Sequence, residues 1–276
     1  MFRKTSGAIL CPSCGRLTNA DAPVCLVCGR RNPGMWGFGS PLGALLRRWN
    51  FTNAVTAVCV ALYVAGLVVD PGAVLRPRGL FGIFSPSGAA LAMLGASGSV
   101  PWALGYWWTV FTAIYLHGGL LHIAFNVLWI RQLGPAVEGL YGPSRLVTIF
   151  TVAGVAGFAA SIAMGNGLTV GASGSIFGLL GAIVAFGRKR GGSLGGMVVR
   201  QYGQWALILF VLGLLPGTAV DNWAHAGGFA GGFVAGLVLS LAEHQAETPL
   251  DRLLAGLAVG VTVLGFALAL WTALAG

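Results

Sequence analysis

The sequence is short of charge. Only 8% of its 276 residues are Asp, Glu, Lys or Arg, with seven acidic residues in all, whereas 56% are apolar. A chain of this composition cannot have water as its main solvent, which excludes an ordinary soluble domain. We therefore expect an integral membrane protein with the lipid bilayer as its surroundings.

Long stretches of the chain contain no charged residue at all: 50–69, 79–130, 146–187, 201–220, 222–242 and 253–276. One membrane span needs about 20 mostly apolar residues, so the longer stretches must hold two helices, or a helix and a membrane-embedded loop. We predict an all-α polytopic membrane protein with seven spans, a core of six followed by an additional one: 53–69, 115–133, 146–164, 172–187, 204–215, 223–241 and 253–273.

The basic residues set the predicted orientation. With the amino terminus in the cytoplasm, fourteen of the sixteen Lys and Arg residues fall on the cytoplasmic side, and only Arg76 and Arg78 fall outside. This asymmetry follows the positive-inside rule. The first fifty residues hold no apolar core of signal-peptide length, so we expect the first span to direct insertion. The net charge of +9 is explained by this bias and by anionic lipid, and no nucleic acid partner is expected.

Four of the five cysteines form two Cys-x-x-Cys pairs near the amino terminus: Cys11, Cys14, Cys25 and Cys28. Two such pairs can complete a tetrahedral four-sulfur shell around Zn²⁺. We predict a cytoplasmic zinc ribbon over residues 1–33, with structural zinc and a protein as its possible partner, and a linker over 34–48. Disulfides or a rubredoxin-like iron site are the alternatives, although a reducing compartment disfavours disulfides. Cys59, alone in the first span, is expected to be an inert packing residue.

The pentapeptide GASGS occurs twice, at 95–99 and 171–175. Pro101 and two glycines follow Ser97 and interrupt any helix there, whereas Ser173 opens an apolar helix. The start of a helix offers N–H groups and a positive dipole, which stabilise an oxyanion forming beside a nucleophile. Ser173 is therefore the candidate nucleophile. The alternative is a serine that only packs or bonds back to its own turn.

Three histidines lie in the predicted membrane region. His225 lies at the same depth on the sixth span as Ser173 does on the fourth, which makes it the candidate general base. His122 and Asn126 are four residues apart, on one face of the second span, and are candidate oxyanion donors. Helix-to-helix hydrogen bonds are the alternative role for these two. Small residues at every fourth position would let the fourth and sixth spans approach closely: Gly174, Gly178, Gly228, Gly232 and Gly236.

At these residues the chain resembles the rhomboid intramembrane serine proteases. Three family patterns occur in order: H-x4-H-x3-N from His117, G-x-S-G from Gly171 and A-H-x-G-G from Ala224. The resemblance covers roughly residues 50–242. It implies a rhomboid six-helix membrane core, which we place at 49–245. The last part of the chain, 246–276, would then add a carboxy-terminal seventh transmembrane helix.

The resemblance implies an intramembrane serine endopeptidase that cleaves transmembrane protein substrates within or near their membrane segment. Ser173 would be the nucleophile and His225 the base, in a dyad without a carboxylate. His122, Asn126 and the Ser173 backbone would form the oxyanion site, and no cofactor would take part in catalysis. The active site would open to the outer side of a bacterial cytoplasmic membrane. A catalytically inactive rhomboid-like protein that binds transmembrane clients is the alternative. A transporter is disfavoured because internal repeats and carboxylates within the spans are missing.

The resemblance also leads to expectations for three further residues. Thr109 follows Trp108 where family members often have Trp-Arg, so the first loop should be anchored differently. Phe177 falls where the family often has an aromatic ring against the catalytic histidine. Asp221, four residues before His225, could orient the imidazole, but a helix cap is the favoured interpretation.

Overall fold

The computed structural model describes residues 5–11, 16–34, 50–74, 82–216, 218, 220–243 and 245–275. The chain divides into two units, Met1–Ala54 and Val55–Gly276. Cys14 and the predicted linker at 34–48, apart from Gly34, lie outside the described residues.

The amino-terminal unit is built on a small antiparallel hairpin. Strand β1 (Ala8–Leu10) pairs with strand β2 (Leu17–Asn19). A single bridge between Val24 and Arg31 then closes a second turn. The first cysteine of each Cys-x-x-Cys pair, Cys11 or Cys25, therefore directly follows a residue held by backbone pairing.

Beyond this hairpin the described chain is mainly helical. Seven long helices follow the order of the predicted spans: α1 (Phe51–Val69), α6 (Leu120–Tyr141), α7 (Pro143–Ala163), α8 (Ser173–Arg190), α9 (Gly192–Leu212), α10 (Asn222–Val238) and α11 (Pro249–Ala275). Short helices lie between the first two of them: α2 (Pro71–Val74), α3 (Gly88–Met93), α4 (Ser99–Ala103), α5 (Thr109–Thr112) and a 3-10 turn at Ala113–Tyr115.

Helices α1, α7 and α11 are long and apolar enough to cross a membrane, and the bent pair formed by Thr109–Tyr115 and α6 is a further candidate. Two of the other long helices are less apolar or shorter. Helix α8 ends in Arg188, Lys189 and Arg190, and α10 has 17 residues. The total of seven spans therefore stays a prediction.

Two long helices begin at other residues than the predicted spans do. The second span was expected to begin at Tyr115, but α6 begins at Leu120 because the chain is extended at Gly119 and bends by 92° before the helix. The fifth span was expected to begin at Gln204, but α9 begins at Gly192. The glycines and polar residues at its start lower the hydropathy of this segment without preventing helix formation.

Helix α8 is the central helix of the bundle. It packs against α7, α9 and α10, and most of its side chains are buried. Glycine makes this packing possible, since a Cβ at Gly181 would lie 2.3 Å from the carbonyl oxygen of Phe229 on α10. Helix α11 instead packs on α7 and α5 and leaves most of its apolar surface exposed. Such a face suits contact with lipid.

A buried ion pair joins the start of α11 to the start of α7. Arg145 Nη2 lies 2.8 Å from Asp251 Oδ2, and the two side chains are 1% and 10% exposed. Glu247, just before α11, accepts hydrogen bonds from the N–H of Ser144 at 2.5 Å and from its hydroxyl at 2.8 Å. The Arg145 guanidinium also donates to four carbonyl oxygens: Tyr141, Ser240, Gln245 and Ala246. A buried charge requires such partners, so α11 is held to α7 by directional polar contacts.

Removing the charge of Asp251 should destabilise the helical bundle. Asp251→Asn leaves the buried Arg145 without its carboxylate, a loss of about 3–5 kcal/mol for buried pairs in general. We expect a clearly lower thermal midpoint in detergent. Glu243→Gln is the matched control, because Glu243 and Arg190 are 3.8 Å apart and roughly half exposed, and exposed pairs contribute about 0–1 kcal/mol. Equal midpoints for the two variants would contradict this prediction.

Candidate active site

Ser173 is the first residue of α8, and Ala172 is its N-cap. The turn before it depends on Gly171, whose φ of +132° favours glycine. The Gly171 N–H donates to the carbonyl oxygen of Ala113 over 2.9 Å, which ties this turn to the 3-10 turn before α6. Ser173 itself is half-buried. Its hydroxyl therefore lies beside the N–H groups of a helix start, where a developing negative charge is stabilised.

His225 lies in the first turns of α10 and is buried. The Phe177 ring, one helical turn after Ser173 on α8, stacks on its imidazole with the ring centroids 4.1 Å apart and the planes 14° from parallel. The aromatic ring expected at this position thus covers one face of the imidazole. This stacking restricts rotation of the His225 ring and leaves its edge nitrogens to make polar contacts.

The backbones of α8 and α10 touch beside Ser173 and His225. A Cβ at Gly174 would lie 3.2 Å from the carbonyl oxygen of Ala224, and one at Gly228 would lie 2.0 Å from that of Gly174. Gly174 follows Ser173 directly, and Ala224 directly precedes His225. The small residues predicted to allow a close approach therefore do so at the level of the two candidate catalytic side chains.

His122 brings a third functional group to the Gly171 turn. Its Nε2 lies 2.6 Å from the point that a Cβ on Gly171 would occupy, and Ser173 Oγ lies 3.8 Å from the same point. The N–H of Gly118 donates to His122 Nδ1 over 3.3 Å. Because Nδ1 is the acceptor there, the neutral ring carries its proton on Nε2. His122 thus presents an N–H on the side where Ser173 lies.

Asn126 and His117 extend this polar group. Asn126 is 4% exposed, and its Nδ2 donates to the backbone carbonyl oxygen of His122 over 2.7 Å. Within the described chain its Oδ1 is buried without a hydrogen bond. His117 lies before α6 and is fully buried, with its ring edge-on to that of His122 at 5.1 Å between centroids. The H-x4-H-x3-N pattern therefore forms one cluster across the bend before α6, with His117 and Asn126 buried and His122 half-buried.

The contacts of Ser97, in the first GASGS copy, hold the first loop in place. Ser97 is fully buried and pairs through its backbone with Thr169, just before the second copy. Its hydroxyl oxygen accepts a 3.2 Å hydrogen bond from Thr109 Oγ1. Thr109, which stands where the family often has Arg, thus anchors the first loop through Ser97. Thr112, in the next turn, adds a 2.6 Å hydrogen bond to the carbonyl oxygen of Gly95.

Asp221 is the N-cap of α10, and Asn222 is the residue that contacts the imidazole. Asp221 Oδ1 accepts from the N–H of Ala224 over 3.0 Å, and Oδ2 accepts from the hydroxyl of Ser161. The helix-cap interpretation is confirmed. Asn222 Oδ1 lies 3.1 Å from His225 Nδ1, a contact that the sequence analysis missed. The signal available was the spacing of three residues, which places both side chains on one face of the first turn.

Three cysteines of the predicted ribbon lie together. The Sγ atoms of Cys11, Cys25 and Cys28 are all within 4.8 Å of one another, and those of Cys11 and Cys28 are 3.7 Å apart. A tetrahedral shell with Zn–S bonds of about 2.3 Å has edges of about 3.8 Å, so the spacing fits a metal. No disulfide joins any two of the described cysteines, which does not support the disulfide alternative. Cys14, the fourth predicted ligand, lies outside the described residues.

The two halves of this cluster are built alike. Cys11 N–H donates to the carbonyl oxygen of Arg16 at 2.8 Å, and Cys25 N–H donates to that of Arg30 at 2.9 Å. Each first cysteine thus closes its loop through the residue five positions later. Backbone N–H groups of Cys28 and Val27 lower the pKa of the Cys25 thiol to about 6. This lowered pKa favours the thiolate, which is the form that binds metal.

The fold and the site together define an integral all-α membrane protein with a serine and a histidine on two helices in backbone contact. The chain belongs to the rhomboid family, since residues 104–242 match the family model for the Rhomboid domain. Ser173, His225, His122 and Asn126 all lie inside this match. The cysteine cluster and α11 lie outside it.

Named relatives support the same assignment. Rhomboid protease GluP from Bacillus subtilis (strain 168) is 38% identical over 143 residues, 50% of this chain and 27% of that protein. Rhomboid-like protease 3 from Toxoplasma gondii is 32% identical over 149 residues, 53% of this chain and 57% of that protein. RHOMBOID-like protein 1 from Arabidopsis thaliana is 30% identical over 182 residues, 63% of this chain and 44% of that protein. The chain thus spans less than two thirds of the length of each relative.

Proposed function

We propose that this protein is an intramembrane serine endopeptidase that cleaves transmembrane protein substrates within or near their membrane segment. The observation that carries the proposal is the backbone contact of α8 and α10, which brings Ser173 and His225 to neighbouring positions on the two helices, with Phe177 of α8 stacked on the imidazole. Two relatives whose names identify them as rhomboid proteases support it.

The proposed reaction uses only groups of the chain. His225 removes the proton from Ser173 Oγ, and the alkoxide attacks the scissile carbonyl carbon. The Ser173 N–H and His122 Nε2–H stabilise the resulting oxyanion, with Asn126 as the third proposed donor. His225 then gives its proton to the leaving amine, and water hydrolyses the acyl enzyme in the same way. No cofactor takes part in these steps.

The membrane setting places further requirements on the proposal. We place the amino terminus in the cytoplasm of a bacterium and the opening of the active site on the outer side of its cytoplasmic membrane. Water must reach Ser173 from that side. Residues that break a helix in the substrate would free its backbone for attack.

We divide the chain into a ribbon at 1–33, a linker at 34–48, the six-helix core at 49–245 and an additional helix at 246–276.

Labelling with a fluorescent fluorophosphonate tests this proposal directly, because the reagent requires an activated serine. The full chain, purified in detergent, is expected to take up about one label per molecule, and heating above the thermal midpoint should abolish the reaction. A protein that remains folded but never labels, in a detergent where a soluble serine hydrolase does label, would contradict the protease. The alternative function, capture of transmembrane clients without cleavage, would then replace it.

We also propose that Cys11, Cys14, Cys25 and Cys28 hold a structural zinc ion. The fit of the three described Sγ atoms to a tetrahedral shell supports it. Zinc bound by four thiolates has no open position for substrate, so the ion would stabilise the ribbon and take no part in proteolysis. A ribbon this small buries little apolar surface and would depend on the metal to fold. A protein partner of the ribbon remains part of the proposal.

Replacing one cluster cysteine should remove the metal. We expect Cys25→Ala to lower bound zinc from about one ion per chain to near zero, because three thiolates bind much more weakly than four. Metal content of the purified full chain, by mass spectrometry of the digested protein, measures this. Cys59→Ala is the matched control, since Cys59 lies alone in α1. Unchanged zinc in Cys25→Ala, or iron in place of zinc in the wild type, would contradict the assignment.

A further inference from the structure

Asn222 contacts His225, and the reaction proposed above gives Asn222 no role. It is the first residue of α10, half-buried, and its Oδ1 lies 3.1 Å from Nδ1 of His225. The stacked Phe177 ring holds the imidazole by its face. Asn222 holds it by one edge. Together the two contacts define both the plane of the ring and its rotation within that plane.

We propose that Asn222 is a positioning residue that selects the tautomer of His225, an inference that rests on the proposed protease function. A carboxamide oxygen can only accept, so the contact of Asn222 Oδ1 with Nδ1 is a hydrogen bond only in the tautomer whose proton lies on Nδ1. The lone pair of the neutral ring then lies on Nε2, the nitrogen left for Ser173. The opposite tautomer would present an N–H to the serine and could not remove its proton.

The neighbouring carboxylate is not free for this role. Both oxygens of Asp221 are engaged, one with the N–H of Ala224 and one with the Ser161 hydroxyl. An amide also costs less than a charge at a membrane-embedded position. Cys-His-Asn sites in soluble proteases show that an amide can orient a catalytic histidine. Among the described residues, the charged and titratable groups that act on His225 are Asp221, the N-cap of its own helix, and His122 from α6.

The end of α9 leaves space for the Asn222 carboxamide. A Cβ at Gly213 would lie 2.5 Å from Asn222 Oδ1 and 2.8 Å from Val220 Cγ1. Gly213 has φ −68° and ψ −13°, angles that alanine adopts without strain. Gly213→Ala should therefore displace the carboxamide oxygen while the identity of every residue at the proposed site is kept. It offers a second, independent way to test the contact.

The test compares fluorophosphonate labelling rates of the full-length wild type, Asn222→Leu, Asn222→Asp and Gly213→Ala. Asn222→Leu keeps a similar size but has no acceptor, so we expect the rate to fall about 10²-fold, within the usual range for general base catalysis. Asn222→Asp keeps an acceptor oxygen and should label within about tenfold of the wild type. Gly213→Ala should fall between the wild type and Asn222→Leu. A purely structural role predicts no such rescue by Asp.

Two labelling outcomes would overturn this inference: wild-type rates in a folded Asn222→Leu, or an Asn222→Asp variant as slow as Asn222→Leu. If Asn222→Leu does not fold, a wild-type labelling rate in Gly213→Ala or a loss of much more than tenfold in Asn222→Asp overturns the inference instead. A folded wild type that never labels would instead overturn the proposed function. Solid-state ¹⁵N NMR provides a readout independent of activity, with the His225 signals assigned by their loss in His225→Gln. The wild type is expected to show a protonated Nδ1, and a protonated Nε2 in the neutral ring would contradict the inference.

Discussion

Ser173→Ala is expected to abolish fluorophosphonate labelling and to lower the cleavage rate of any transmembrane substrate by on the order of 10⁴-fold or more. The reason is chemical, since the label and the acyl group both form a bond to Ser173 Oγ, for which alanine has no replacement. The substitution removes one oxygen atom from a half-buried position, so the thermal midpoint should change little. In-gel fluorescence at equal protein loading measures the effect.

Two other serines of the GASGS copies are matched controls. Ser175 lies two residues further along α8 and is fully buried, and its Oγ has no hydrogen-bond partner among the described residues. Ser175→Ala should therefore label like the wild type, because it removes a polar atom that is not satisfied. Ser97→Ala loses the bond from Thr109 but should also retain labelling. Loss of labelling in Ser97→Ala alone, with Ser173→Ala still reactive, would move the nucleophile to the first copy.

Gly228→Val is expected to prevent α8 and α10 from packing. A Cβ at Gly228 would lie 2.0 Å from the carbonyl oxygen of Gly174 and 2.8 Å from its Cα. Backbone atoms cannot rotate away as a side chain can, so the helices must separate. Overpacking costs about 1–3 kcal/mol where side chains can adjust, and here we expect more. The separation would also part Ser173 from His225, so labelling should be lost together with stability.

The control for this variant is Gly260→Val on α11. A Cβ at Gly260 meets no atom within 4 Å, and the same residue type is introduced into a long apolar helix. Gly260→Val should keep the wild-type elution volume in size-exclusion chromatography, the thermal midpoint and the labelling rate. Gly228→Val should show a midpoint lower by many degrees, or aggregate. Similar midpoints for both variants would mean that the α8–α10 contact is not as close as described.

The residues of the candidate site could be chosen from the sequence because polar groups are scarce in its apolar stretches. In such surroundings each polar side chain is costly, so Ser173, His122, Asn126 and His225 stand out against a background of Ala, Leu, Val and Gly. The two GASGS copies lead into different segments, since a proline and glycines come after the first and an apolar helix comes after the second. That difference alone selected Ser173 as the helix-start residue.

Asn222 could not be chosen in this way. From the sequence, Asp221 is the more attractive partner for an imidazole because it carries a charge. Only the folded start of α10 shows that the carboxylate oxygens of Asp221 accept hydrogen bonds from Ala224 and Ser161. The residue that contacts Nδ1 of His225 is therefore Asn222. The choice depends on cap geometry, which is a property of the backbone at the helix start. The bend before α6 was missed for a similar reason, since hydropathy does not distinguish a helix from an extended turn within an apolar run.

The sequence by itself determined that this protein is a helical membrane protein, that its cysteines form a metal-ligand pattern, and which side chains could carry out chemistry in the membrane. These properties depend on composition and on local spacing. The tertiary structure decided which of these groups meet. Close contact of α8 with α10, the tie between Ala113 and Gly171, and the ion pair of Arg145 with Asp251 each join residues far apart in the chain. Such contacts depend on how whole helices pack, and packing is settled only when every helix is in place.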